Sequence, residues 1–231
     1  MNTETVKKDI SPEKSHTGGN FWFLLAGLLF TLLAVPVTHQ FSGMERYSMT
    51  LLFTVFMLVS IWSLAASRLV FHIGILLVIG ITAIVGINAF SETHFFQEVL
   101  GIVLMLTFCI LSCWIAARNV FLLHKADPNS LAGAFCVYLL IGLIWALLYK
   151  LLLLFDLAAF TGNITAQEEE QFPDLLYFSF VTLASLGYGD VTPTGGLVRT
   201  LAYLEAVLGQ FYLAVMVASL VGVYSSQRRK G

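Results

Sequence analysis

The sequence predicts an all-α membrane protein of six transmembrane helices, with a short re-entrant helix and a tight glycine-rich turn between the fifth and sixth. Three observations predict it. Hydrophobic residues make up 58% of the 231 residues and charged residues 11%, with mean hydropathy +0.85, which excludes an ordinary globular domain. The apolar residues fall into six runs, at 21–38, 48–67, 69–90, 96–117, 131–155 and 197–224, each near the about 20 residues that cross a bilayer as a helix. Between the last two runs, 156–196 is too polar at its start to span. Lipid supplies no hydrogen-bond partner, so the spanning runs are expected to be helices rather than strands.

Residues 1–20 are polar and mixed in charge, with Ser15, Gly18 and Gly19, and read as a flexible cytoplasmic tail. The first apolar run follows Lys7, Lys8 and Lys14, as a signal peptide would. It is long, and its end, Val35-Pro36-Val37-Thr38, offers no small-x-small cleavage site, so it reads as a retained helix. His72 in the third run is a lone polar residue, suited to a hydrogen bond across helices more than to proton sensing. The fourth run has no Lys or Arg before Arg118. Cys109, Cys113 and Cys136 all lie in apolar runs, and without His or carboxylate at matching spacing they read as packing residues, not a disulfide frame or metal site. The stretch 118–130, with Asn119, His124, Lys125, Asp127 and Pro128, reads as a cytoplasmic linker joining a four-helix unit, 21–117, to a second unit, 131–231.

The second unit carries the unusual segment. Asp156, Gly162 and Glu168-Glu169-Glu170 precede Pro173 and Asp174, and then an apolar stretch begins at Leu175 that is too short to cross. Pro suits the first turn of a helix and Asp its positive end, so a helix is expected to enter here and return through the turn that follows. Asn163-Ile164-Thr165 is a glycosylation sequon, of consequence only in a eukaryotic secretory pathway. The positive charges set orientation. With both termini inside, Lys7, Lys8, Lys14, Arg68, Arg118, Lys125, Arg228, Arg229 and Lys230 lie inside, against Arg46, Lys150 and Arg199 outside or leaning outward, which places the termini in the cytoplasm. Glu45, Glu92, Glu98, Asp156, Glu168–Glu170, Asp174 and Asp190 then fall outside, as a cation-concentrating mouth or simply as solvated loops.

The turn itself reads Thr182-Leu183-Ala184-Ser185-Leu186-Gly187-Tyr188-Gly189-Asp190. Glycine tolerates backbone angles that let consecutive carbonyls face the same way. The run resembles the selectivity filter of tetrameric pore-loop potassium channels, usually Thr-Val-Gly-Tyr-Gly-Asp, with Ser185 for the threonine and Leu186 for the valine. Both changes keep the chemical type. The match continues through Pro193, Arg199 and Gly209, covers about 40% of the chain (131–225) and is most specific over 179–193. The first four helices match six-helix channels in number and order alone.

The resemblance implies a re-entrant pore helix and selectivity filter between helices 5 and 6. K+ would be held by Ser185, Leu186, Gly187 and Tyr188 in a filter that runs to Gly189. Tyr177, Thr182 and Asp190 would support it, with a hydrogen bond from Tyr177 to Asp190. It also implies a homotetramer, since one loop supplies a quarter of each ion cage. Gln210, Leu213, Val217 and Val221 would line the pore, the two valines as an apolar constriction or else as lipid-facing filler. Gly209 is either a gating hinge or a site of close helix packing.

Two ionisable residues fall within apolar helices, Lys150 and Glu205, at similar depths of about 9 and 12 Å from the 1.5 Å rise per residue. Three arrangements are open: the two residues pair, Lys150 snorkels outward, or Glu205 takes up a proton and bonds Ser179 or Thr182. The sequence ends at Gly231, seven residues after Tyr224, and no nucleotide-binding or calcium-sensing domain is expected after the last helix. The expectation is a passive potassium channel of the cell membrane that does not sense voltage through a charged fourth helix. It needs no cofactor, nucleic acid or soluble partner beyond the bilayer. No nucleophile–base or metal cluster stands at usable spacing, so no enzyme is expected. A non-selective cation channel and a non-conducting membrane protein or transporter are the alternatives.

Overall fold

The computed structural model describes residues 21–38, 45–64, 68–88, 94–122, 128–155, 159–165 and 171–228. Among these residues seven helices follow the apolar runs: α1 Phe21–Thr38, α2 Glu45–Leu64, α3 Arg68–Asn88, α4 His94–Leu122, α5 Pro128–Leu154, α6 Phe172–Leu183 and α7 Gly196–Arg228. Each consists mainly of residues that lose little side-chain freedom or gain much by packing, and Pro128 and Pro173 stand only in first turns, where a missing N–H costs nothing. Among the described residues, Phe95–Phe121, Pro128–Leu154 and Gly196–Ser219 are long and apolar enough to cross a membrane. Phe21–Val35, Leu52–Ser63, Gly74–Ala83 and Phe172–Leu183 are shorter apolar stretches.

One expectation needs correction. Among the described residues the regular structure is helical apart from a two-stranded antiparallel ribbon in the loop between α5 and α7. Strand β1, Phe160–Gly162, pairs with β2, Val191–Pro193, in the register Phe160↔Pro193, Thr161↔Thr192 and Gly162↔Val191. These residues lie beyond the helix ends, where no intrahelical bond serves their backbone groups, so each strand satisfies the other.

Helices α1 to α4 pack in sequence, and α1 and α4 both lie against α5. The core between them is built from Leu24, Leu28, Phe56, Met57, Leu140 and Leu143, each no more than 1% exposed. Helix α4 runs past the expected end at 117, because Val120 and Phe121 have partners: Val120 meets α5 at Gly133 and Phe121 stacks edge-on against Tyr212 of α7. The expected linker is therefore helical at 118–122 and 128–130, and its remainder, with His124, Lys125 and Asp127, lies outside the described residues. So do the tail at 1–20 with Lys7, Lys8 and Lys14, the acids Glu92, Asp156 and Glu168–Glu170, and Arg229 and Lys230.

At Gly133, α1, α4 and α5 meet. A Cβ there would lie 2.7 Å from Val120 Cγ2 and 3.0 Å from the Phe21 ring. Gly133→Leu is expected to push the three helices apart and to cost about 1–3 kcal/mol, the usual range for overpacking, read as a lower midpoint of thermal unfolding in detergent.

Candidate functional site

Helix α6 is twelve residues long and begins with Pro173 in its first turn and Asp174 beside it, as the sequence predicts. Its start is tied to the loop that follows α5: Asp174 Oδ2 accepts from the Thr165 amide at 2.7 Å and from Thr165 Oγ1 at 2.8 Å. The hydroxyl of the sequon threonine is thus a structural donor. At the other end the helix stops at Ala184, whose N–H still reaches the Phe180 carbonyl at 3.0 Å.

The chain then changes hand. Ser185 has φ +56°, Gly187 +59° and Gly189 +79°, while Leu186 and Tyr188 are not left-handed. Alternation of hand turns successive carbonyls to one side of the strand and successive N–H groups to the other. Three of those N–H groups are held by α6: Ser185 by the Thr182 carbonyl at 2.9 Å, Leu186 by Val181 at 2.9 Å and Gly187 by Val181 at 3.4 Å. The carbonyls at the helix end therefore fix the amide side of the loop and leave its own carbonyls unpaired. Thr182 takes part through its carbonyl. Ser185, without glycine's freedom, carries a strain of order 1–2 kcal/mol in this conformation. Its hydroxyl accepts from Gln210 Nε2 at 3.1 Å, which ties the loop to α7.

Behind the loop, Tyr177 Oη donates to Asp190 Oδ2 at 2.7 Å, the hydrogen bond expected from the sequence. That bond holds the exposed Asp190 carboxyl below the usual carboxylate range. Leu186 and Tyr188 project from the loop, 58% and 68% exposed.

The buried ionisable residues find other partners than each other. Lys150 Nζ pairs with Glu98 Oε1 of α4 at 3.4 Å. The Lys150–Glu205 pair is not made, because α4 brings Glu98 to the level of Lys150, while Glu205 turns toward Tyr149 and α6. Glu205 is fully buried and accepts from Tyr149 Oη at 2.7 Å. Ser179 Oγ lies 2.5 Å from Glu205 Oε1 and 2.8 Å from the Gly142 carbonyl oxygen. A hydroxyl has one proton and a carbonyl can only accept. Both Ser179 contacts are hydrogen bonds together only if Glu205 carries a proton and donates it. The geometry thus selects the protonated arrangement, with Ser179 rather than Thr182 as partner. Tyr149 and Gly142 were missed in the sequence: a tyrosine one position before a conspicuous lysine carries no distinguishing signal, and Gly142 enters through its carbonyl.

Gly209 lies on the same buried stripe of α7 as Val198, Glu205 and Tyr212. Helix α7 runs unbroken through it, and a Cβ there would run into the Leu183 carbonyl oxygen. This geometry carries the close-packing reading rather than the hinge. Gln210, Val217 and Val221 are exposed on the neighbouring face and Leu213 is half-buried at its edge. Tyr212 Oη donates to the Ala134 carbonyl of α5 at 2.7 Å, closing α7 onto α5 further along.

A short helix followed by a loop of alternating hand, set between two long apolar helices, has the order of elements of a pore-loop membrane protein. A family model described as "Ion channel" matches residues 133–226, which is α5 through α7. Protein LctB of Bacillus caldotenax is 36% identical over 101 residues, covering 42% of this chain and 75% of that protein. Protein LctB of Geobacillus stearothermophilus is 50% identical over 56 residues, 24% of this chain and 40% of that protein. The inward rectifier potassium channel Kirbac3.1 of Paramagnetospirillum magnetotacticum is 48% identical over 50 residues, 22% of this chain and 17% of that protein. The chain thus spans well under half of the last two. No solved structure matches. The chain belongs to the pore-loop potassium channel family, a class of ion channels and not of enzymes.

Two outcomes test the site. Glu205→Gln keeps a donor for Ser179 and an acceptor for Tyr149, so thermal stability should stay within about 1 kcal/mol of the parent, whereas Glu205→Leu strands the buried Tyr149 hydroxyl at about 1–3 kcal/mol and leaves Ser179 with its bond to Gly142. The sign for Asp190 follows from its lowered value: its pairing with Tyr177 is complete above the ordinary carboxylate range and is lost only as outer pH falls through the lower native value. Tyr177→Phe should therefore move the acid limit of ion flux to higher pH, measured in vesicles with the outer solution titrated.

Proposed function

We propose that this chain is one subunit of a homotetrameric channel that conducts K+ passively and selectively across the cell membrane. The observation that carries the reading is the alternation of left-handed Ser185, Gly187 and Gly189 with Leu186 and Tyr188. Such alternation would turn the carbonyls of 185–188 to one side, and four such strands around an axis would replace the hydration shell of the ion with backbone oxygens. Potassium is the transported substrate, and no cofactor enters. The end of α6 supports the reading, since its negative dipole end favours a cation on the axis. Exposed apolar side chains support the assembly: Leu186, Tyr188, Leu204, Val207, Leu208 and Phe211 stand uncovered in the single chain. A neighbouring subunit would cover the filter side chains, and neighbour or lipid the α7 face.

In this reading all six long helices span the bilayer, α6 is a re-entrant pore helix, and both termini are cytoplasmic. Residues 21–117 form a four-helix unit and 131–231 the pore unit, joined through 118–130. Gln210 rings the cavity beneath the filter, Leu213, Val217 and Val221 line the pore below it, and Tyr177, Thr182 and Asp190 support the filter from behind. Helix α4 carries no Lys or Arg before Arg118. A charge moved through the membrane field is worth ~2.3 kcal/mol per 100 mV, and without such charges voltage has little to act on.

Reconstituted in liposomes, the protein should pass K+ far better than Na+, read from the reversal potential in mixed salts. Gly187→Ala should abolish that preference. No atom lies within 4 Å of the added methyl, so the effect comes from the backbone angle that alanine resists. Equal permeation of Na+ by the parent would leave a non-selective channel. A gating charge above about one elementary charge per subunit would contradict the absence of a charged lever in α4.

A further inference from the structure

The outer loop does more than connect α5 to α6. Its described part, 159–165, is fastened at three points. At one end the ribbon pairs Gly162 with Val191, and the Asn163 amide donates to the Asp190 carbonyl at 2.8 Å, just past the filter's last glycine. From the start of the same strand, the Phe160 ring packs edge-on against Phe178 of α6 at 5.1 Å and Tyr149 of α5 at 5.8 Å. At the other end, Thr165 is bonded to Asp174, and Gln171 Nε2 donates to the Thr165 carbonyl at 3.1 Å. The segment therefore reaches from the start of the pore helix to the outer end of the filter, alongside the helix that connects them.

Gly162 is the point where the two backbones come closest. It has φ +107°, and a Cβ there would run into the Asp190 carbonyl oxygen and lie 2.9 Å from the Asp190 carbonyl carbon. The position requires glycine twice over, for its conformation and for the space.

We infer that the ribbon is a positioning element for the outer end of the filter, with Gly162 and the Asn163 amide setting the place of the Asp190 peptide. The side chain of Asp190 is held by Tyr177 and its carbonyl by Asn163, so the residue after Gly189 is fixed from both sides. A filter discriminates between ions by where its carbonyls stand, and moving the Asp190 peptide moves the Gly189 end of that row. The ribbon thus acts on selectivity through the backbone, without touching the ion. The inference rests on the proposed potassium conduction.

Linkage supplies a second consequence. If the ribbon favours the filter shape that binds K+, bound K+ must favour the ribbon by the same factor.

The test uses the full-length protein in liposomes, with Gly162→Ala and Phe160→Ala compared with the parent by reversal potential in K+ and Na+. Gly162→Ala should raise relative Na+ permeability about tenfold or more, the equivalent of ~1.4 kcal/mol of lost discrimination. Phe160→Ala, which leaves the Gly162 backbone free of added atoms, should move selectivity in the same direction by less, and it decides between the outcomes if the alanine variant at 162 fails to assemble. Amide exchange at Asn163 in the parent should slow in K+ relative to Na+. A role confined to stability would lower the melting temperature of both variants and leave permeability ratios and the K+ dependence of exchange untouched. Parental selectivity in the assembled variants, or Asn163 exchange indifferent to the cation, overturns the inference. A parent that passes no K+ overturns instead the function on which it rests.

Discussion

The placement of α6 depends on one buried polar cluster. Glu205 of α7, Tyr149 and the Gly142 carbonyl of α5, and Ser179 of α6 meet in a region where few other polar groups are within reach. Because burying a hydroxyl or a carboxyl unpaired costs several kcal/mol, each member holds the others in register. The cluster works in apolar surroundings only as a neutral network, and the hydrogen-bond count at Ser179 supplies that neutrality through a proton on Glu205. A lysine partner would have brought a second charge to be desolvated. Lys150 instead meets its carboxylate partner at Glu98, which is 36% exposed.

Everything the loop does follows from where α6 ends. The carbonyls of Val181 and Thr182 take up the amides of 185–187, and this leaves the carbonyl side of the same residues free. Gly209 lets α7 approach the Leu183 carbonyl closely enough to support that end from beneath. The strained conformation of Ser185 persists because helix end, Gln210 and neighbouring glycines over-determine it, which is the usual condition for strain at a functional site. Gly142, on the opposite side, admits the Phe180 ring within 2.6 Å of where its Cβ would stand. Glycines on two helices thus bring α6 close to both of its neighbours.

Much of this was legible in the sequence, for identifiable reasons. The helices were, because lipid forces an apolar run of sufficient length into one kind of structure, and only their ends shifted, as at Val120 and Phe121 where tertiary partners prolonged α4. The left-handed angles at Gly187 and Gly189 were legible because glycine permits what other residues resist. The Tyr177–Asp190 bond came from the family resemblance. The partners of Lys150 and Glu205 were not legible: depth along a helix is a one-dimensional quantity, and two residues at one depth need not face each other. The β1–β2 ribbon was hidden for a similar reason. Three-residue strands have no periodicity to detect, and what makes this one is the distant register of Gly162 on Val191. The left-handed angle of Ser185 was equally invisible, since nothing in a serine announces it.

The same contacts indicate how the first four helices bear on the pore. Helices α1 and α4 lie against α5, through Phe21 and Val120 at Gly133 and through the Glu98–Lys150 pair. Two aromatic contacts reach past α5, Phe53 of α2 to Phe172 at the start of α6 and Phe121 of α4 to Tyr212 of α7. Tyr212 is also bonded to α5 at Ala134, on the buried stripe that continues from Gly209. A shift of α4 along its axis would therefore act at two levels, on Lys150 near the C-terminal end of α5 and on Tyr212 midway along α7. Helix α4 carries no Lys or Arg before Arg118 and its Glu98 is tied to Lys150 of α5, so α5 is the element best placed to pass a shift of α4 to α6 through the Glu205 cluster.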